Sequence, residues 1–183
     1  AIAAGQWPKA HASMAEMASI YDVAVIGGGV VGCGVARACA LAGRKTVLIE
    51  REAALASSHA SGGNTGIACT AADCEPGTVE HGCLERAAEL NLDAYDACNV
   101  PYAATGAVYV AYGPQEHAAL DHLIDAHGDA ADSLNSGAAV EARCRLPGLA
   151  ARGAKRGLHV RREITDEPWR VTVAWALHAR ANG

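Results

Sequence analysis

An α/β fold with a parallel sheet is what the sequence predicts, on three observations. Residues 22–26 (DVAVI) and 46–49 (TVLI) are short, nearly unbroken apolar runs, the pattern of parallel strands covered on both faces. Between them lie a glycine-rich turn and a stretch with helical spacing, so the segment reads strand, turn, helix, strand. Beyond residue 77, helical and strand-like segments keep alternating along the 183-residue chain.

The turn carries the first functional signal. Gly27, Gly29 and Gly32, with Gly28 between the first two, fill a G-x-G-x-x-G pattern. The first glycine permits a tight turn, the second lets backbone approach a pyrophosphate, and the third lets helix pack closely on strand. The helix expected over 30–41, closed by Gly43, points its N-terminal amides at the turn, where free N–H groups and the macrodipole favour an anion. Glu50, at the end of the second strand, offers a carboxylate to two ribose hydroxyls. Strand, turn, helix, returning strand and terminal acid together predict a dinucleotide-binding unit. Glu50 would repel a 2′-phosphate, and Arg51 beside it reads as a solvated charge.

Residues 52–56 are expected as a short helical piece leading into an irregular loop, 57–70 (SSHASGGNTGIACT), rich in hydroxyls and glycines. Such a loop has many donors and few obstructing side chains, so it can wrap a dinucleotide. Thr78, after Pro76 and Gly77, is expected to cap a helix running to about Cys98, with Glu80 in its favourable first turn. Cys83, Ala87, Leu90, Ala94 and Ala97 recur at helical spacing as its packing face, and nothing in it points to chemistry. Residues 105–112 (TGAVYVAY) read as a strand, and 114–127 as a helix carrying His117, His122 and His127. A spacing of five turns each histidine by about 140°, so they share no face and no metal site is expected. A polar loop at 128–137, a short helix at 140–144, a strand at 158–164 and a helix from 166–169 into 171–180 complete the chain.

Composition narrows the class. Hydrophobic content of 51% with 19% charged residues is that of a globular chain and excludes a disordered tail. A net charge of −5 gives no hint of a nucleic-acid partner. Residues 73–132 hold acidic residues almost alone and the chain from 143 onward is mainly basic, an asymmetry read as solvated faces. Seven cysteines without a C-x-x-C pair argue against a zinc site and a disulfide framework, and for a reducing, intracellular setting, cytoplasmic or mitochondrial. No segment reads as a membrane span. Residues 1–20, without the basic start and apolar middle of a signal peptide, are expected to be a flexible extension.

Four segments together resemble the N-terminal part of an FAD-dependent oxidoreductase of the D-amino-acid oxidase superfamily, in the branch of glycerol-3-phosphate and L-2-hydroxyglutarate dehydrogenases. They are DVAVIGGGVVGCGVA with Glu50, the loop HASGGNTGI, CEPGT ahead of the helix at 79, and the closing TDEPWRVTVAWALHARANG. The resemblance implies a Rossmann-like FAD-binding βαβ unit with part of an α+β cap, in an incomplete fold. The expected division is an N-terminal part of the FAD domain over 21–98, a partial cap over 99–165 and a crossover helix over 166–183.

Residue by residue, the resemblance implies Gly27, Gly28, Gly29 and Gly32 at the FAD pyrophosphate, Glu50 on the adenosine ribose and Arg51 near the adenine. Ser61, Asn64, Thr65 and Gly66 would lie by the ribityl, pyrophosphate or isoalloxazine. Where the family often has a histidine followed by a small residue, this chain has Cys69 and Thr70. The implied reaction is hydride transfer to flavin from a small anionic alcohol, glycerol 3-phosphate first and a 2-hydroxy acid such as L-2-hydroxyglutarate second. Electrons would pass on to quinone or oxygen. A non-catalytic FAD-binding remnant is the alternative, and no catalytic residue is assigned.

Overall fold

The computed structural model of the protein describes residues 20–56, 59–128 and 131–183. Apart from Ile20, the extension expected at the N-terminus lies outside them, as do Ser57 and Ser58 of the loop. The first unit forms as its sequence predicts: β1 (Val23–Ile26), α1 (Val30–Leu41) and β2 (Thr46–Ile49). β1 and β2 pair in parallel, from Val23 opposite Thr46 to Ile26 opposite Ile49. A Cβ at Gly32 would lie 1.9 Å from the carbonyl oxygen of Gly27, so only glycine lets α1 come this close to the turn.

The last helix, α5 (Pro168–Asn182), packs along α1. Proline at its first turn suits a position where no helical partner awaits the N–H. Ala36 and Ala40 of α1 and Ala179 of α5 are buried together against Val25 and Leu48 of the sheet. Their small side chains let the helix axes approach. Near the middle of the contact, a Cβ on Gly34 would come within 3.2 Å of the Trp175 ring.

Two antiparallel sheets follow. In one, β8 (Ile164–Asp166) lies between β3 (Ile67–Ala68) and β4 (Tyr102–Ala103). In the other, β7 (Arg156–Val160) lies between β5 (Ala107–Ala111) and β6 (Ala131–Leu134). Helices α3 (Pro114–His127) and α4 (Gly137–Cys144) contact this sheet. Its core is Ala111, Leu120, Leu158 and Val160, closed by Ala72 from the segment after β3.

Four expectations are corrected. Residues 52–56 form bends and a turn instead of a helical piece. Glu50 Oε1 accepts from the Glu52 amide at 2.9 Å, and Ala56 adopts a φ of 55°. The strand expected over 158–164 is two strands, because the chain turns at Arg161 and Arg162 and β8 joins a different sheet. The polar loop expected at 128–137 contains β6, whose ADSL sequence has little strand preference. Tertiary partners hold it: Asp132 accepts from Arg161 and pairs with His159 Nδ1 at 3.1 Å.

The fourth correction concerns α2 (Val79–Ala97). Thr78 caps it as predicted, its hydroxyl accepting from the His81 amide at 3.1 Å. The packing face, however, is rotated from the expected stripe. Ala87 and Ala94 of that stripe are half-buried, but Cys83, Leu90 and Ala97 are exposed, and Leu84, Ala88, Asn91 and the buried Tyr95 share the inner side. Tyr95, the one aromatic side chain of α2, sets this rotation by joining Val100, Ile164 and Val171 in a buried cluster.

Candidate functional site

The turn between β1 and α1 gathers most of the predicted residues. Gly29 caps α1 in extended conformation with no side-chain bond, and the first helical turn holds no acidic residue. Glu50 reaches back from the end of β2: its Oε2 accepts from the Gly28 amide at 2.5 Å and its Oε1 from the Glu52 amide at 2.9 Å. The Glu52 and Gly28 amides hold the Glu50 carboxyl below the usual carboxylate range. A carboxylate has about four acceptor positions, and those the backbone amides leave open can accept from hydroxyls of a ligand.

The loop after β2 returns to the same turn. Ser61 Oγ accepts from the Val30 amide at 2.9 Å, which ties the loop to the first residue of α1. Asn64 shapes the loop from within, its Nδ2 donating to Ala60 O at 2.9 Å and its Oδ1 accepting from the Gly66 amide at 2.8 Å. Gly66 has a φ of 68°, and a Cβ there would lie 2.2 Å from Asp166 O. In return, the Asp166 amide donates to Gly66 O at 2.8 Å.

Two side chains the sequence reading did not assign to a site complete this region. The Tyr95 hydroxyl donates to Asp166 Oδ2 at 2.5 Å, and burial, then the Asp166 carboxylate, pushes the Tyr95 phenol far up. Val30, Ser61, Asn64, Gly66, Tyr95 and Asp166 share a cavity of about 140 Å³. For Tyr95 the signal in the sequence was a lone aromatic in a helix otherwise made of small, aliphatic and polar residues, and Asp166 lies in the closing TDEPW segment.

Other predicted residues are placed differently. Arg51 turns to solvent with its side chain 83% exposed, 3.1 Å from Glu52. Thr65 is exposed and outside the 140 Å³ cavity. Cys69 and Thr70 close the stretch expected as an irregular loop, which β3 interrupts at 67–68; both are half-buried, and burial raises the Cys69 thiol. The Thr70 hydroxyl donates to Glu163 Oε1 at 3.3 Å, and Glu163 is only 3% exposed. A larger, mostly apolar cavity of about 410 Å³ lies between α1, β2 and α5, with Glu50 in its wall. Among the described residues, no group of three or more His, Cys, Asp or Glu could hold a metal ion, and no helix is long and apolar enough to cross a membrane.

The donor set fits FAD. A helix N-terminus whose N-cap is a glycine and whose first turn holds no acidic residue suits a pyrophosphate. An oriented carboxylate at the end of β2 suits ribose hydroxyls. The loop of Ser61, Asn64 and Gly66 adds hydroxyl and amide groups on the far side of the same turn, which a simple βαβ unit lacks.

Comparison with known proteins agrees. Residues 22–183 match the profile of the family described as DAO, FAD dependent oxidoreductase. The mitochondrial L-2-hydroxyglutarate dehydrogenase of Caenorhabditis elegans is 36% identical over 105 residues, covering 56% of this chain and 24% of that protein. The same enzyme of Nematostella vectensis is 33% identical over 107 residues, covering 57% of this chain and 23% of that protein. The chain thus spans about a quarter of these curated relatives. Among solved structures, dithionite-reduced L-alpha-glycerophosphate oxidase from Mycoplasma pneumoniae with FAD bound superposes with a TM-score of 0.78 at 22% identity, over 88% of this chain and 43% of that one. Glycine oxidase from Geobacillus kaustophilus gives 0.76 at 17%, over 89% and 45%. At these identities the structures establish the shared fold.

Proposed function

The chain belongs to the DAO family of FAD dependent oxidoreductases, and from that premise we propose that it serves the oxidation of a small anionic alcohol. The substrate class we favour is a 2-hydroxy acid such as L-2-hydroxyglutarate, with glycerol 3-phosphate as the alternative. Sequence alone put glycerol 3-phosphate first. The order is reversed because the curated relatives at 33–36% identity are L-2-hydroxyglutarate dehydrogenases, whereas the glycerophosphate oxidase likeness is one of fold.

In this reading the α1 amides behind Gly27, Gly28, Gly29 and Gly32 hold the pyrophosphate. Glu50 holds the adenosine ribose, and Ser61, Asn64 and Gly66 face the ribityl and ring. Arg51 reaches the adenine by leaving its exposed contact with Glu52, and Thr65 contributes from the loop surface. FAD when bound supplies the acceptor for the carbinol hydride. The protein's own residues orient it, with the Glu50 carboxylate aimed at its ribose. Onward electron transfer to quinone or oxygen, an intracellular location, and a division into FAD-domain part (21–98), cap part (99–165) and crossover helix (166–183) belong to the same proposal. The catalytic residues are unassigned.

The observation that carries the proposal is the 2.9 Å bond from the Val30 amide to Ser61 Oγ, which brings the serine, glycine and asparagine loop to the helix N-terminus. The test is a visible spectrum of the purified chain after removal of free flavin, followed by dye reduction with each substrate. A two-banded flavin spectrum with turnover on L-2-hydroxyglutarate supports the favoured reading, and turnover on glycerol 3-phosphate alone the alternative. Bound flavin without turnover on either supports a non-catalytic FAD-binding module. No bound flavin overturns all three.

A further inference from the structure

The geometry points to Tyr95 and Asp166 as positioning residues that hold the loop of Ser61, Asn64 and Gly66 in place for the flavin-side half of the cofactor. This inference rests on the FAD reading above. Asp166 is joined to that loop twice. Its amide donates to Gly66 O at 2.8 Å, extending the β3–β8 ladder, and its carbonyl oxygen lies where a Cβ on Gly66 would fall. The loop can approach β8 this closely only with glycine at 66, so wherever Asp166 sits, the end of the loop follows.

Tyr95 fixes where Asp166 sits. The tyrosine is 4% exposed, and its ring packs with Val100, Ile164 and Val171, a cluster against which Val30, the first residue of α1, also rests. A buried hydroxyl needs a partner, and here it is Asp166 Oδ2 at 2.5 Å. Asp166 stands one residue before the N-cap of α5, yet α5 has no side-chain cap. One continuous set of contacts therefore runs from Val30 through the buried cluster to Tyr95, Asp166 and Gly66, and back through Asn64, Ala60 and the adjoining Ser61 to the Val30 amide. Members of this set line the cavity of about 140 Å³, whose polar lining is the Ser61, Asn64, Tyr95 and Asp166 side chains.

The test compares FAD with ADP, which carries the adenosine and pyrophosphate but no ribityl or flavin. Affinities for both are measured by titration calorimetry on the full chain carrying Tyr95→Phe, Asp166→Ala or Asp166→Asn, with folding checked by circular dichroism. Tyr95→Phe keeps the ring and removes only the donor. We expect it to weaken FAD binding roughly 10-fold or more, the effect of losing one hydrogen bond to a charged group, and to leave ADP binding within about 2-fold. Asp166→Ala should match it, and Asp166→Asn, whose amide oxygen still accepts from the phenol, should recover part of the loss. Unchanged FAD affinity in folded Tyr95→Phe and Asp166→Ala overturns the inference. Parallel losses of ADP and FAD overturn it too, because they mark a general loosening of the fold. If the unsubstituted chain binds neither ligand, the FAD reading falls and takes the inference with it.

Discussion

The Gly28 amide and Glu50 Oε2, 22 residues apart, meet at 2.5 Å and fasten the turn after β1 to the end of β2. The acid is thereby aimed before any ligand arrives, and its other oxygen is aimed by the Glu52 amide. Orientation of this kind lowers the ordering cost of binding. Glu50→Ala should weaken both FAD and ADP on the order of tenfold, since it acts at the adenosine end. Equal affinity for FAD in a folded Glu50→Ala protein would remove Glu50 from the site.

Gly32→Ala tests the close approach of α1 to its own turn. With only 1.9 Å between the added Cβ and Gly27 O, helix and strand must separate, at a cost of roughly 1–3 kcal/mol or more. A fall in the urea midpoint together with loss of flavin binding is expected. Gly82→Ala in α2, where a Cβ meets nothing within 4 Å, serves as the control: it should leave flavin binding unchanged and, if anything, raise the urea midpoint, because alanine favours a helix over glycine by about 0.5–1 kcal/mol.

Thiol reactivity should follow burial. Cys33 is fully buried, its Sγ directed at Gly28 O at 3.4 Å, and burial together with the Glu50 charge pushes its thiol up to about 11. Cys83 lies exposed on α2. Iodoacetamide at pH 7.5, read by peptide mass spectrometry, should label Cys83 early and Cys33 only on unfolding. Labelling of Cys33 at the rate of Cys83 would contradict the packing of α1.

Acid should destabilise the fold through identifiable carboxylates. The Tyr112 and Gly113 amides hold Glu116 low, His159 and then Arg161 hold Asp132 low, and Arg156 holds Asp121 low. A carboxyl depressed in the folded state contributes stability above its unfolded value, about 4, and loses that contribution as pH falls through the folded value. Urea midpoints should therefore be level from pH 7 to about 5 and fall below about 4. Glu116→Gln should flatten the acid limb, and an unchanged slope would show that its two amide bonds contribute nothing.

Residues 22–50 needed only local rules. Apolar runs, glycines at the sites of close approach and a strand-terminal acid specify β1, α1 and β2 because each signal acts over a few residues. Thr78 as a cap and Pro168 at the first turn of α5 were legible for the same reason. β6 was not, since Ala-Asp-Ser-Leu becomes a strand only beside β7 with Asp132 held by Arg161 and His159. Nor was the rotation of α2, where five evenly spaced small or apolar residues suggested a face that one buried tyrosine overruled.

The sequence by itself determined a βαβ unit with a glycine turn and an oriented acid, and a loop with the composition to reach a dinucleotide. Only the tertiary structure decided that Ser61 bonds the Val30 amide, that Gly66 lies under Asp166, and that Tyr95 braces both. Periodicity reports which face of a segment is apolar. It carries no record of a hydrogen bond across 71 residues, which exists only once β8 and α2 have packed around the same cluster.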